Sequence, residues 1–157
     1  VDEATPVAGR RAGRNAADLE WLARGAHVFR LPGIYGPDRS PLTRVREGKA
    51  HRVDVPGQVF SRVHVDDIAS GVVAAIDAPR GAYNLADDLP AAQNDVSVFA
   101  ARLLGMPPPP FVPLDSLSPM GRSFYAENRR VANAKAKRVL GWSPAYPTYR
   151  DGLRALV

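Results

Sequence analysis

One short segment constrains the fold of this chain more than any other, because it is an apolar run that ends in two pairs of glycine and proline. Residues 27–37 read His-Val-Phe-Arg-Leu-Pro-Gly-Ile-Tyr-Gly-Pro. An apolar run that ends in glycine and proline is typical of a buried strand followed by a loop. Ligands of open α/β sheets bind just beyond such carboxyl ends of strands. A plain strand and turn, without any ligand, is the simpler interpretation of the segment by itself.

The length and composition favour a single domain. The chain has 157 residues, of which 45% are hydrophobic and 24% charged, which suits one core and not two of ordinary size. Neither an apolar run long enough to span a membrane nor an export leader is visible. The sequence contains no cysteine, which excludes disulfides and thiolate chemistry here and fits a reducing compartment. We therefore expect a cytoplasmic protein.

The charge is basic and comes mostly from arginine, with a formal net charge of +5. A basic balance suits nucleic acid, an anionic membrane or a small molecule that carries phosphate. The densest basic stretch runs over residues 129–138, where a solvated helix face is the simpler interpretation. A nucleic-acid-binding fragment stays a remote alternative, because no aromatic interleaving or known module accompanies the charges.

Helix and strand patterns alternate along the chain, which predicts an α/β fold. The first helix is expected over residues 16–24, with Asn15 and Asp18 as a capping box and Trp21 as a packing anchor. The strands are expected at residues 28–31, 59–65 and 82–86, with a hairpin arm over 49–57. Further helices are expected over 41–47, 66–76 and from 95 to about 104, and, in the proline-punctuated last third, over 118–128, 134–140 and 149–156.

Polar residues at the predicted helix starts are expected to act as caps. Asp66-Asp67 begin one helix and Asp95 another, and Thr148 with Asp151 forms a capping box. The neighbouring His64 lies on a strand expected to be buried, where an imidazole bonded to backbone is favoured over a catalytic one. The later helices are assigned Ser118 and Asn133 as caps.

Self-sufficient catalytic and metal-binding motifs are missing. The sequence has no phosphate-binding P-loop, no glycine-rich dinucleotide motif, and neither the zinc-protease nor the nucleophile-elbow pattern. Its three histidines, His27, His51 and His64, are not at metal-ligand spacing. We therefore predict no metal site.

Four ordered segments together carry a family resemblance. They are Arg-Leu-Pro-Gly-Ile-Tyr-Gly-Pro at 30–37, Val-His-Val-Asp-Asp-Ile-Ala at 63–69, Ala-Tyr-Asn-Leu-Ala-Asp-Asp at 82–88 and Leu-Gly-Trp-Ser-Pro at 140–144. In this order the chain resembles the C-terminal half of an NAD(P)-dependent epimerase/dehydratase, of the extended short-chain dehydrogenase/reductase family. The resemblance covers essentially the whole chain.

The resemblance implies a doubly wound Rossmann-like sheet, of which this chain has the C-terminal strands, plus a smaller, mainly helical substrate lobe. We expect residues 1–157 to form a single C-terminal portion of such a domain. Residues 1–37 and 59–86 would belong to the Rossmann half, and residues 38–58 and 87–157 to the lobe. The family's glycine-rich motif would lie upstream, in an N-terminal half that this chain does not include. Either that half or a second copy of the chain would cover the open sheet edge.

The implied cofactor is NAD or NADP, and the implied substrate is a sugar nucleotide or another small carbonyl or hydroxyl compound, transformed by hydride chemistry. By the resemblance, Leu31 and Pro32 lie against the nicotinamide and Gly33 faces the substrate. Many nucleotide-sugar members grip the diphosphate with an arginine at the position of Phe60. We expect the neighbouring Arg62 to take over that role here.

The family's usual catalytic pair is missing from the expected positions. A tyrosine base and a lysine four residues later would align with Ala12 and Ala16. The catalytic residues are therefore unknown, and whether the protein is an enzyme stays open. The alternative is a sensor or partner-binding module of the same fold that binds the dinucleotide without turnover.

Overall fold

The computed structural model describes residues 1–7 and 12–157. Within these residues it contains four short strands, seven α-helices and a 3₁₀ turn at Leu114–Ser116. The strands are β1 (His27–Arg30), β2 (Gly33–Tyr35), β3 (Arg62–His64) and β4 (Gly81–Asn84). The helices are α1 (Ala12–Ala23), α2 (Pro41–Arg46), α3 (Val65–Ala74), α4 (Gln93–Leu103), α5 (Pro119–Tyr125), α6 (Ala134–Leu140) and α7 (Tyr149–Arg154).

The strands form two parallel pairs, which confirms the predicted partial α/β sheet. β1 pairs with β4, in a register that sets Arg30 opposite Asn84. β2 pairs with β3, in a register that sets Gly33 opposite Arg62. Parallel strands need long crossover connections, and α2 lies in the one between the paired strands β2 and β3.

The chain after β1 is not the simple loop that its glycines and prolines predicted. It passes through Leu31 and Pro32 and at once forms β2 in the second sheet. The predicted hairpin over 49–57 is also wrong, since Arg52 makes a parallel bridge to Phe111. In both cases the backbone pairs with a segment far away in the sequence, which local patterns do not reveal.

The first helix differs from its prediction in its start and in its packing. Asn15 lies inside α1 and is not its cap, and Asp18 pairs with Arg30 of β1 instead of closing a capping box. Trp21 does not anchor packing, because it is 58% exposed. Gly25, with φ of +73°, follows the helix end as predicted.

The cap of α3 is the histidine that precedes the two aspartates. His64 Nδ1 accepts a hydrogen bond from the Asp66 N–H at 3.2 Å, so the imidazole is bonded to backbone as expected. The carboxylate of Asp67 reaches across to the C-terminal segment, where it accepts from the N–H groups of Ala145 at 2.6 Å and Tyr146 at 3.2 Å. Asp67 therefore ties α3 to a segment that lies 78 residues later.

Of the other predicted caps, some are confirmed and others are wrong. Ser118 and the Thr148–Asp151 capping box are confirmed. Asp95 is wrong as a cap, because α4 begins two residues earlier with Ala92 as its N-cap. Asn133 occupies the N-cap position of α6, but its amide donates instead to Ala86 O and to Asp88 Oδ1, both at 2.7 Å.

Two apolar clusters hold the fold together. The larger joins α2, α4 and α7 around residues such as Leu42, Val96 and Leu153, all fully buried. The smaller joins β3, the end of β4 and α6 and includes Trp142, whose indole N–H donates to Ser70 Oγ at 3.0 Å. No helix among the described residues is long and apolar enough to cross a membrane.

Candidate functional site

Leu31 and Pro32 follow the carboxyl end of β1 and lead directly into Gly33, the first residue of β2. Leu31 is 38% exposed, Pro32 is half-buried and Gly33 is exposed. Proline has no N–H to donate, so Pro32 offers shape and apolar contact only. The three predicted contact residues therefore form one accessible, mainly apolar wall, which begins at the carboxyl end of β1, the kind of strand end where open α/β sheets bind ligands.

Gly33 sits tightly against the neighbouring strand. Its N–H donates to Ser61 O at 3.2 Å, and a Cβ at this position would lie 3.4 Å from the same oxygen and 3.8 Å from Arg62 Cγ. A Cβ at this position would therefore make ordinary van der Waals contacts with the neighbouring strand.

Arg62 lies beside Gly33 but turns its guanidinium into the protein. The residue is 6% exposed and donates to Phe60 O at 2.8 Å, Ala91 O at 3.0 Å and Gln93 Oε1 at 2.9 Å. Contact with a substrate phosphate would require Arg62 to leave some of these acceptors. Its role as a substrate residue stays a prediction.

A buried carboxylate that the sequence reading missed lies near Arg62. Asp87 is 2% exposed, and burial raises its pKa to about 7, with the positive charge of Arg62 opposing the shift. Burial in turn lowers the pKa of Arg62, and Asp87 opposes that shift. Asp87 can therefore hold or release a proton near neutral pH. Its sequence signals were its position shortly after a strand and its place in the segment 82–88 that carries the family resemblance.

Two further buried polar groups lie close to this carboxylate. Tyr35 meets the His64 ring edge-on at a centroid distance of 5.1 Å, and burial followed by the negative charge of Asp87 raises the pKa of Tyr35. Among the described residues, the buried side-chain oxygens and nitrogens without a protein partner all belong to Tyr35, His64 and Asp87. The buried polar atoms without a hydrogen bond of good geometry are therefore concentrated in this one cluster.

The end of β1 is held by a second set of polar contacts. Arg30 pairs with Asp18 of α1 and donates to Glu3 O at 3.1 Å, while the Glu3 carboxylate accepts from the Asn84 N–H at 2.8 Å. The segment that contains Glu3 thus crosses the carboxyl ends of β1 and β4. Sequence reading missed these contacts because they join segments 12 to 81 residues apart.

Ala12 and Ala16, the positions predicted to align with the family's tyrosine and lysine, are exposed residues of α1. They are four residues apart and so lie on one face of the helix. Neither alanine can exchange a proton. Among the described residues, no group of three or more histidine, aspartate or glutamate side chains could hold a metal ion.

Comparisons with known proteins agree with this geometry. No protein-family model matches the chain. A structure from Silicibacter pomeroyi, described as a functionally unknown conserved protein, has a TM-score of 0.90 at 48% identity and covers 99% of this chain and 59% of that one. A dTDP-glucose 4,6-dehydratase from Bacillus anthracis, solved with NAD, has a TM-score of 0.77 at 23% identity and covers 98% of this chain and 53% of that one.

A curated relative is similar in sequence. The 3-diazoavenalumate denitrifying reductase of a Streptomyces species is 33% identical over 156 residues, which cover 89% of this chain and 51% of that protein. The chain spans about half the length of the curated relatives it matches.

Proposed function

We propose that this chain, which has the fold of the C-terminal half of the NAD-dependent epimerases and dehydratases, is part of an NAD(P)-dependent oxidoreductase. Its substrate would be a sugar nucleotide or another small carbonyl or hydroxyl compound. The observation that carries the proposal is the accessible wall of Leu31, Pro32 and Gly33, which follows the carboxyl end of β1 in a fold shared with an NAD-bound dehydratase.

The wall fits the cofactor chemically. Leu31 and Pro32 would hold the apolar face of the nicotinamide, and Gly33, without a side chain, leaves space for a substrate next to it. The nicotinamide would supply hydride transfer, while the protein supplies binding and orientation. In this proposal residues 1–37 and 59–86 form the cofactor-binding half, and residues 38–58 and 87–157 form the lobe that faces the substrate.

The alanines at positions 12 and 16 bear on which class of reaction the protein could catalyse. A tyrosine base is needed where the substrate hydroxyl must lose or gain a proton together with hydride transfer. The curated relative is named a reductase, which supports hydride donation to an acceptor other than a nucleotide sugar. We therefore favour reduction over epimerisation as the reaction class.

A second candidate is a dinucleotide-binding protein without turnover, and Ala12 and Ala16 are the observation that favours it. This candidate keeps the same wall and the same cofactor. It differs only in that no substrate is transformed.

Calorimetric titration of the full-length protein with NADH, NADPH and their oxidised forms tests the shared part of both candidates. Saturable binding of one pair supports them, and no heat with any of the four rejects both. Consumption of NADH or NADPH across a panel of carbonyl and other electron-poor acceptors then separates the two. Turnover rejects the non-catalytic candidate, and binding without turnover on the whole panel favours it.

A further inference from the structure

A second concave surface lies apart from the wall, between α4, α7 and the segment around Phe111, which follows the four prolines at 107–110. This groove has a volume of about 590 Å³, within the range of small-molecule sites. None of its lining residues belongs to the wall or to the Asp87 cluster. Its lining residues are Arg52, Asn94, Asp95, Val98, Phe99, Arg102, Phe111, Tyr149, Arg150 and Arg154.

Four arginines line the groove against one carboxylate, that of Asp95. Within residues 1–7 and 12–157, no carboxylate lies at ion-pair distance from Arg52, Arg102 or Arg150. Arg154 has only a long contact with Asp151, at 3.6 Å. The groove therefore carries an uncompensated positive charge.

Aromatic rings orient three of these arginines. The guanidinium of Arg52 lies 4.0 Å from the ring centre of Phe111, and its Nε donates to Pro109 O at 2.7 Å. Arg150 lies over Tyr149 at 5.2 Å, and Arg154 lies over Phe99 at 5.5 Å. Such stacking holds a guanidinium by its face and leaves its N–H edges to point elsewhere.

We propose that this groove binds the phosphate or diphosphate group of a small molecule. Planar guanidinium forks match the oxygens of phosphate, and several forks around one hollow suit a multivalent oxyanion. The four arginines come from three separate segments around one open groove and do not form a stripe along a single element, which favours a small molecule over a nucleic acid. This inference does not depend on the proposed oxidoreductase function.

Calorimetry with inorganic pyrophosphate and inorganic phosphate, at low ionic strength and on the full-length protein, tests the site. The double variant Arg102→Gln with Arg150→Gln is expected to weaken pyrophosphate binding by about tenfold or more. The matched control, Arg39→Gln with Arg138→Gln, removes the same charge from exposed positions outside the groove. It is expected to change binding by less than about twofold.

The variant Asp95→Asn provides a test in the opposite direction. Removing the one carboxylate that lines the groove is expected to strengthen pyrophosphate binding about threefold, which a folding defect would not produce. Pyrophosphate binding at least about tenfold tighter than phosphate assigns the groove to a diphosphate, and equal binding assigns it to a single phosphate group. The proposal is overturned if neither anion binds, if both double variants weaken binding equally, or if an acidic peptide binds and pyrophosphate does not.

Discussion

The carboxylate of Asp18 and the guanidinium of Arg30 form two hydrogen bonds side by side, from Nε to Oδ2 at 2.9 Å and from Nη2 to Oδ1 at 2.8 Å. The pair joins α1 to the end of β1, and the two side chains are only 12% and 20% exposed. The same contact raises the pKa of Arg30. It fixes the helix that carries Ala12 and Ala16 relative to the strand that leads into the wall.

The first prediction concerns this pair. Asp18→Asn removes the charge and one of the two acceptors, and we expect a loss of about 1–3 kcal/mol in the free energy of unfolding, measured with urea. The control is Glu20→Gln, which breaks the pair with Arg24 on the same helix. Because both of those side chains are more than 60% exposed, that loss should stay below about 0.5 kcal/mol. Equal losses for the two variants would contradict a special role for Asp18.

The second prediction separates the two adjacent aspartates of α3. Each oxygen of the Asp67 carboxylate accepts one N–H, from Ala145 or from Tyr146. Asp67→Asn replaces one of these oxygens by an NH₂ group, which cannot accept, so we expect a destabilisation of about 2–3 kcal/mol. Asp66→Asn changes a side chain that is 66% exposed and should cost well under that. Chemical denaturation of both variants measures the difference. A larger effect at Asp66 would show that capping, and not the long-range tie, is the main role of the pair.

The third prediction is a pH dependence that arises from Asp87. Its pKa is about 7 in the folded chain against an ordinary value of 3.8, so the folded state holds a proton that the unfolded state releases. Its contribution to stability is therefore complete below pH 3.8 and is lost as the pH rises through 7. Asp87→Asn should remove this loss and raise the stability at pH 8 by up to about 4 kcal/mol, with little effect at pH 4.

The neighbouring Asp88 provides the control for that experiment. Burial pushes the pKa of Asp88 upward, but hydrogen bonds from Lys137 and Asn133 outweigh it, and the pKa is lowered. Its stabilising contribution is present near neutral pH and is lost on acidification, which is the opposite direction. At pH 8, Asp87→Asn should therefore be more stable than the parent chain and Asp88→Asn less stable, whereas at pH 4 Asp87→Asn should match the parent. A shift of both variants in the same direction at pH 8 would refute the assignment.

The fourth prediction concerns close packing between β2 and α7. A Cβ at Gly152 would overlap the hydroxyl oxygen of Tyr35 and lie 2.7 Å from its Cζ. Gly152→Ala should therefore destabilise the chain by about 2 kcal/mol or more. Combining it with Tyr35→Phe should recover part of the loss, because the hydroxyl has no protein partner to lose. Gly13→Ala, whose new Cβ would have nothing within 4 Å, should be neutral. The melting temperatures of Gly152→Ala, the double variant, Gly13→Ala and the parent chain measure these effects.

The fifth prediction tests the wall in the full-length protein. Leu31→Asn should weaken dinucleotide binding about threefold to tenfold, because it removes apolar contact of about 1 kcal/mol. Val139→Asn on α6 changes a side chain of the same exposure, 37% against 38%, at a place away from the wall. Its dinucleotide affinity should match that of the parent protein. If the two variants bind alike, the wall does not contact the cofactor.

Local sequence signals predicted much of the element order. The α/β class and the ends of several helices were correct, and the resemblance to the epimerase/dehydratase fold is confirmed by the solved dehydratase. The misjudged strand has a distant partner, because the pairing of β2 with β3 is set by residues about thirty positions away. The misjudged caps have a local cause, because α1 and α4 begin before Asn15 and Asp95.

The candidate site shows the same division. Leu31, Pro32 and Gly33 could be named in advance because a strand followed by glycine and proline is a local pattern. Arg62 could be named, but not the three acceptors that hold its guanidinium in the protein interior. Asp87 was missed because a carboxylate after a strand looks like any surface residue until its burial is known.

By itself the sequence determined what depends on neighbours within one helical turn, such as the Thr148–Asp151 capping box and the left-handed glycine after α6. These features follow from backbone geometry and short-range hydrogen bonds. Only the tertiary structure decided which strands pair and how deeply Arg62 and Asp87 are buried. Desolvation and long-range charge set the pKa of Asp87, and both depend on how the whole chain packs around it.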